Sequence, residues 1–321
     1  MPQQQLDLPA VGEPLLVVNG LQKRYGAKQA VADVSLSIPR GAIYGFLGPN
    51  GAGKTTTIRC LMDIILPDAG EMTLGGQTLT RPLRDRIGYL PEERGLYRKM
   101  TCQEQLAYLA QLKGVPRGEA MARSEQWLDR MDLSEYLKKK VDNLSKGMQQ
   151  KLQFAATFIF EPDLVILDEV FSGLDPLNIE LLRDLILEER EKGTTILFST
   201  HMLAEAERLC DSVCLIEAGE KILDGSLDEV RQSFAFHMVR VAYSDGTEPP
   251  VDLPGVTGRR LDEGTWRLEL EADRDPGTLL EPLAAAGPLS LYSANRPTLN
   301  EIFLTAVRQR RGDVAVERSA S

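Results

Sequence analysis

Histidine is almost missing from this chain: two occur in 321 residues, His201 and His237. That leaves little material for a Ser-His-Asp triad or a histidine metal centre. Cysteine is nearly as scarce, at Cys60, Cys102, Cys210 and Cys214. Cys210 and Cys214 have C-x3-C spacing with no second Cys/His pair beside them. The expectation is therefore buried thiols in a reducing cytosol, with no zinc site. Long apolar runs are lacking too. The best candidate, residues 154–160, stops at Glu161-Pro162, well short of the roughly 18–20 apolar residues that span a bilayer. The opening MPQQQLDLPAVGEP lacks a basic n-region and an apolar h-region, so it reads as a flexible lead-in over residues 1–13 and not as a signal peptide. Positive charge is in deficit: 37 Lys and Arg face 47 Asp and Glu, for a net charge of −10. This argues against a general grip on nucleic acid, which takes a basic face, while a local basic patch stays open. No lysine follows Lys221, and there is no internal repeat or low-complexity tract.

What is present suits a folded chain. A hydrophobic fraction of 43% allows a sizeable core, and 321 residues set an expectation of two domains or one large one. Residues 15–18 and 34–38 read as antiparallel-type strands with turn residues between them. Residues 43–47 form an apolar strand, and a helix is expected over 54–62. From 101 to about 137 the pattern is helical, with Leu106, Leu109 and Leu112, then Trp127, Leu128 and Met131. Residues 164–167 are continuously apolar, as in a strand buried on both faces of a parallel sheet. A helix over 182–191, a strand over 194–198 and a closing hairpin over 213–223 follow. Strands and helices alternate through the middle, so the fold class is α/β. The character changes near Ser233. A strand over 236–243, a turn at Asp262-Glu263-Gly264, an alternating strand over 266–270 and a helix over 277–286 follow. A last helix starts at Thr298 with Glu301 completing a capping box. This is a small α+β domain over 233–310, followed by a charged, frayed tail over 311–321.

Three stretches carry chemistry. The first is GPNGAGKTT, residues 48–56, which fits G-x-x-x-x-G-K-[ST] through Gly48, Gly53, Lys54 and Thr55. Glycines let the backbone turn successive N–H groups inward, and such a nest binds an anion. The helix that follows adds its positive N-terminal end. Lys54 would reach β- and γ-phosphates and the Thr55 hydroxyl would ligate Mg²⁺; Asn50, Gly51 and Thr56 complete the binding candidates. A plain Gly-rich turn is the alternative, but the loop follows an expected strand and opens an expected helix. The second stretch is the strand end Asp168-Glu169. In α/β folds ligands sit at the C-terminal edge of the sheet. Asp168 would hold Mg²⁺ and Glu169 would orient and polarise an attacking water; alone, the pair could equally be a solvated acidic turn. The third is LSKGM, residues 144–148, a helix start in which Ser145 caps and Gly147 permits close approach.

With these three in order, the chain resembles the ATP-binding subunits of ABC transporters over roughly residues 15–230. The family signature is usually LSGGQ, and LSKGM followed by Gln149 departs at two positions. The resemblance implies a P-loop NTPase of ABC type. Its parts would be a mixed sheet core, an antiparallel β subdomain and a helical subdomain over about 93–160, all within an ATPase domain over 14–232. It further implies ATP and Mg²⁺ as cofactors, Tyr25 stacking on adenine, Asp175 in the D-loop of Ser172-Gly173-Leu174-Asp175, and His201 as the switch histidine on the γ-phosphate. Val170 stands where the family usually has proline. Glu92, in LPEERGLY, stands where it usually has glutamine; a carboxylate still suits Mg²⁺ but adds negative charge near the γ-phosphate. That string and the tail domain resemble the branch of sodium- and drug-type exporters.

The resemblance also implies partners. Ser145 would face the nucleotide of a second copy, or of a homologous ATPase subunit, so that two chains lie head to tail around two ATP molecules. A polytopic membrane permease would convert reopening into export and hold the chain peripherally on the cytoplasmic side of the cell membrane. Its docking groove is expected near Glu92–Met100, with Leu96, Tyr97 and Met100 among Arg94, Arg98 and Lys99. Alternatively Leu96 and Tyr97 simply pack under the helical segment. Two rival functions are a soluble ABC-type ATPase acting on nucleic acid or ribosomes, and a nucleotide-gated regulator. The first is disfavoured by the acidic balance, by the lack of a coiled-coil or zinc-bearing insertion, and by the presence of a single ATPase half. The second is disfavoured by the presence of both Glu169 and His201.

Overall fold

The computed structural model describes residues 8–93, 95–234, 238–262, 264–271, 274–294 and 297–311. Of the sequence expectations, those on residues 1–7, Arg94, Phe236, His237, Glu263 and the tail over 312–321 lie outside the described residues. The chain divides into two compact units between Ser226 and Leu227.

The first unit opens with β1 (Pro14–Tyr25) and β2 (Lys28–Pro39), then β3 (Ile43–Leu47), α1 (Lys54–Leu61), β4 (Ala69–Leu74), β5 (Gln77–Thr78), α2 (Arg81–Arg84) and β6 (Ile87–Leu90). A helical region follows: α3 (Cys102–Leu112), α4 (Arg117–Arg130) and α5 (Lys146–Phe158). The chain then returns through β7 (Leu164–Asp168), α6 (Pro176–Glu191), β8 (Thr195–Thr200), α7 (Leu203–Leu209), β9 (Ser212–Glu217) and β10 (Glu220–Ser226). One sheet is antiparallel, in the order β2-β1-β4-β5; the other is mixed, β10-β9-β3-β8-β7-β6, with only β10 antiparallel. All residues of β3, β7 and β8 are buried, as covered parallel strands must be. One core cluster runs through Leu16, Val18, Leu36 and Ile38 of the antiparallel sheet. It continues through Tyr44, Phe46, Ile166 and Leu197 of the mixed sheet and Ile58 and Leu61 of α1.

Four local signals set the helices. Gly114-Val115-Pro116 divides the expected helical stretch into α3 and α4. Thr101 and Glu104 form a capping box at α3. Ser145 caps α5, its hydroxyl accepting from Met148 N at 3.3 Å. Asp175 caps α6 and Pro176 sits in its first turn, so this helix begins six residues before the expected Leu182. Trp127 stacks on Phe158 at 5.9 Å, and Phe154 lies 4.7 Å from Phe158, which binds α4 to α5 through large apolar area. At the N-terminal end, residues 8–13 depart from the expected flexible lead-in. Leu8 packs on the core, Arg40 donates to the Pro9 carbonyl at 2.7 Å, and Gly12 N donates to Arg40 O at 3.1 Å.

The second unit contains α8 (Leu227–Ser233), β11 (Met238–Tyr243), β12 (Val256–Asp262), β13 (Thr265–Leu270), α9 (Leu280–Ala286), β14 (Leu289–Ser293) and α10 (Leu299–Arg311). Its antiparallel sheet runs β12-β13-β11-β14. Val239 and Val241 of β11, Leu268 and Leu270 of β13 and Leu283 of α9 build the core. The capping box at α10 is present: Thr298 N donates to Glu301 Oε2 at 2.9 Å and Glu301 N to Thr298 Oγ1 at 3.3 Å.

Candidate functional site

The loop between β3 and α1 is shaped by two glycines. Gly48 has φ +156°, and a Cβ there would lie 2.3 Å from the Ile216 carbonyl oxygen. Gly53, at φ +110°, ends the loop as the N-cap of α1, and a Cβ there would lie 2.5 Å from Ala30 O. No side chain fits either place, and the second φ belongs to glycine. The loop is further pinned from β2 and the turn between β9 and β10: Gly219 N donates to Ala52 O at 2.8 Å, and Ala32 N to Gly219 O at 2.7 Å. Lys54 folds back over the loop, donating from Nζ to Gly48 O at 2.6 Å and Pro49 O at 3.3 Å.

The two acids stand at the end of β7. Glu169 turns the chain with φ +52°, a left-handed conformation uncommon outside glycine and worth a functional reading. Its N–H donates to Ser199 O at 2.9 Å, so β8 fixes the turn. Its carboxylate is shared: Oε1 lies 3.4 Å from Lys54 Nζ, while Oε2 lies 2.9 Å from His201 Nδ1 and accepts from Thr200 Oγ1 at 3.3 Å. Lys54 and Glu169 are both buried, so each charge depends on the other and on the loop carbonyls. Asp168, fully buried, accepts from Ser199 Oγ at 2.8 Å. Burial raises its carboxyl pKa above the ordinary value, while the Ser199 and Thr55 hydroxyls pull the other way.

A cleft of about 310 Å³ opens above these groups, lined by Tyr25, Lys28, Ala30, Asn50, Gly51, Gly53, Lys54, Thr55, Thr56, Glu92 and Glu169. Nine of those eleven are sequence candidates; Lys28 and Ala30 are additions. Lys28 sits on an exposed hairpin with no motif around it, and Ala30 enters only because β2 passes beside Gly53. Tyr25 is 49% exposed, leaving a ring face for stacking. Asp168, Gly48 and His201 stand behind the lining, joined to it through Thr55, Lys54 and Glu169 respectively.

Ser145, Gly147 and Asp175 do not line the cleft. They gather at a second place, where the starts of α5 and α6 meet. A Cβ on Gly147 would lie 3.7 Å from Asn178 Nδ2, and that amide donates to Asp175 Oδ2 at 2.5 Å. Asn178 N also donates to Asp175 Oδ1, and these bonds hold the Asp175 carboxyl below the usual aspartate range.

The donors present fit Mg²⁺. The buried oxygen Asp168 Oδ2 has no hydrogen-bond partner, and a hard cation takes such an oxygen together with hydroxyl and phosphate oxygens. Among the described residues no group of three His, Cys, Asp or Glu side chains forms a stand-alone metal site.

A family model described as ABC transporter matches residues 31–172, and one described as ATP-binding protein DrrA1-3-like, C-terminal domain, matches residues 225–307. The uncharacterized ABC transporter ATP-binding protein YhaQ of Bacillus subtilis is 36% identical over 293 residues, which is 91% of this chain and 98% of YhaQ. The Nod factor export ATP-binding protein I of Ralstonia nicotianae is 38% identical over 306 residues, covering 92% of this chain and 95% of its own. A solved ATP-binding subunit of an ABC transporter superposes with a TM-score of 0.64 at 37% identity, covering 68% of this chain and 93% of that one.

Proposed function

Since the chain belongs to the ATP-binding subunits of ABC transporters, we propose that it binds Mg-ATP in the cleft above Lys54, hydrolyses it, and drives an exporter. The observation that carries the chemistry is the Glu169 carboxylate, buried and strained at a strand end, with Lys54 on one oxygen and His201 on the other. Tyr25 stacks on the adenine. The loop amides, Lys54 and the start of α1 hold the phosphates. An arriving phosphate replaces Glu169 as the anion beside Lys54, which frees the carboxylate to orient a water. The water oxygen then bonds to the γ-phosphorus as the bond to the bridging oxygen breaks, and the water's proton passes to the Glu169 carboxylate. Negative charge collects on the leaving diphosphate, where the Lys54 ammonium and the loop N–H groups already stand. Thr55, Asp168 and Glu92 would hold Mg²⁺, which when bound would neutralise phosphate charge. His201 contacts the γ-phosphate.

Two copies act together. Ser145 and Gly147 lie outside the cleft of their own chain, which suits a role toward the nucleotide of a partner copy placed head to tail. Leu177, beside Asp175 at the start of α6, is 79% exposed and is an apolar contact for that partner. No described helix is long and apolar enough to cross a membrane, so a separate permease carries the cargo. We place its docking along the Glu92–Met100 segment, at Tyr97 and Met100, extended by Tyr108 and Leu112 of α3. Tyr97 is 53% exposed and meets Tyr108 edge-on at 5.6 Å, while Tyr108 and Leu112 share a face of α3 by their i, i+4 spacing. Export is favoured by the match of the second unit to a DrrA-type C-terminal domain and by the name of the Nod factor relative; that unit is an accessory domain of the engine.

The test is Glu169→Gln. Turnover should fall by ~10²-fold or more with ATP binding retained, as on loss of a water-orienting carboxylate, and the variant should accumulate as an ATP-bound dimer by light scattering. Hydrolysis near the wild-type rate would remove Glu169 from the chemistry.

A further inference from the structure

Helix α5 touches both acid-bearing loops of the cleft, and it does so with two glutamines three residues apart. Gln150 Nε2 donates to the carbonyl of Val170, the residue after Glu169, at 2.7 Å. Gln153 Nε2 donates to the carbonyls of Pro91 and Glu93, at 3.4 and 3.2 Å. Those two carbonyls lie on either side of Glu92. A carboxamide carries two N–H donors, so one Gln153 side chain can serve both at once. Residues at i and i+3 lie on one face of a helix, so a single face of α5 grips the chain beside Glu169 and around Glu92.

The grip is anchored by packing at its helix end and by a surface ion pair on the loop side. Gln153 is itself buried, and its neighbours Phe154 and Phe158 fix α5 to Trp127 of α4. On the loop side, Arg59 of α1 pairs with Glu93 at 3.2 Å, so the segment is tied to the helix that Lys54 opens. At its other end α5 begins with the Ser145 cap. Eight residues separate Ser145 from Gln153, about 12 Å along a helix axis.

We propose that Gln150 and Gln153 form a clamp through which α5 sets the positions of Glu169 and Glu92. They are positioning residues. A displacement of the Ser145 end, where the partner copy's nucleotide would act, is carried along one stiff helix to both carboxylates of the chain's own cleft. This rests on the reading of the cleft as an ATP site and adds to it a physical link between the two sites of a dimer. Neither glutamine lines the cleft, so the clamp acts on turnover through the two carboxylates and not through direct contact with nucleotide.

The experiment has two arms, both on the full chain. The first needs no nucleotide. In Gln153→Leu, hydrogen exchange of amides over residues 90–97 should quicken by ~10-fold, with exchange in α3 and α4 unchanged. Gln153→Asn, which keeps the amide but is one methylene too short, should behave the same way. Unchanged exchange in both variants overturns the clamp. The second arm is a double-mutant cycle on ATP turnover. Gln153→Leu should lower kcat by ~10-fold with the affinity for ATP within twofold, and should cost almost nothing further once Glu92→Ala is present, because coupled residues are not additive. Fully additive losses overturn the route through Glu92. If the wild-type chain hydrolyses no ATP, the ATP reading has failed, and the exchange arm still decides whether α5 holds the loop.

Discussion

Replacing Gly53 by alanine tests the loop at its tightest point. The residue stands at φ +110°, and the added Cβ would sit 2.5 Å from Ala30 O, about 0.9 Å inside the 3.4 Å at which ordinary van der Waals contact begins. The carbonyl is backbone and cannot rotate away as a side chain would. Its strand is held two residues on by the bond from Ala32 N to Gly219 O at 2.7 Å. The dihedral alone costs about 1–3 kcal/mol for a residue with a Cβ. The loop can relax only by turning its amides out of the nest. Displaced onto nucleotide binding, that energy is a loss of roughly 5- to 150-fold in affinity, at 1.4 kcal/mol per tenfold. Fluorescent ATP-analogue titration measures it, with urea unfolding alongside to catch any part that falls on stability instead. An affinity within twofold of wild type together with an unchanged unfolding midpoint would refute both the strain and the close contact.

Two further outcomes follow from other parts of the chain. Glu104 accepts from the Thr101 backbone N–H first and from its hydroxyl second, which holds its carboxyl below the usual glutamate range; a depressed folded pKa stabilises above the unfolded value of about 4.3 and is lost as pH falls through the folded one. Glu104→Gln should therefore flatten the acid side of the urea-midpoint profile, and superimposable profiles would show that the capping box contributes nothing. Tyr97→Asp combined with Met100→Asp should release the chain from membranes while sparing ATP binding; retention in the membrane fraction with transport intact would move the docking surface elsewhere, with the second unit next in line.

Much of the cleft was legible because its parts are consecutive in sequence. The apolar residues 43–47, the glycines and Lys54 sit together, and the strand 164–168 delivers its two acids at its own end. Ser145 was legible as a cap because capping is local. Other elements gave weaker signals. β4 is largely exposed and shows no alternation, and the start of α6 at Asp175-Pro176 lay inside a stretch read as a loop motif. Contacts between distant segments had no sequence signal at all. Lys28 reaches the cleft only through the pairing of β2 with β1. The bonds from Gln150 and Gln153 span 20 and about 60 residues, and no periodicity records them. The order of strands in the mixed sheet is likewise a product of packing.

The central claim is that each ATP is held by Lys54 of one chain and Ser145 of another. Chains of two lengths can be mixed for this, the longer carrying Ser145→Cys with Lys54→Ala, the shorter unaltered at both positions. Cys60, Cys102, Cys210 and Cys214 are all buried, so the introduced thiol is the accessible one among the described cysteines. An ATP analogue bearing a thiol-reactive group on its γ-phosphate is then added. The account predicts label on the longer chain only when the shorter chain is present to bind the analogue. Label that appears on the longer chain by itself, or no label in the mixture under conditions where the shorter chain binds the analogue, would contradict it.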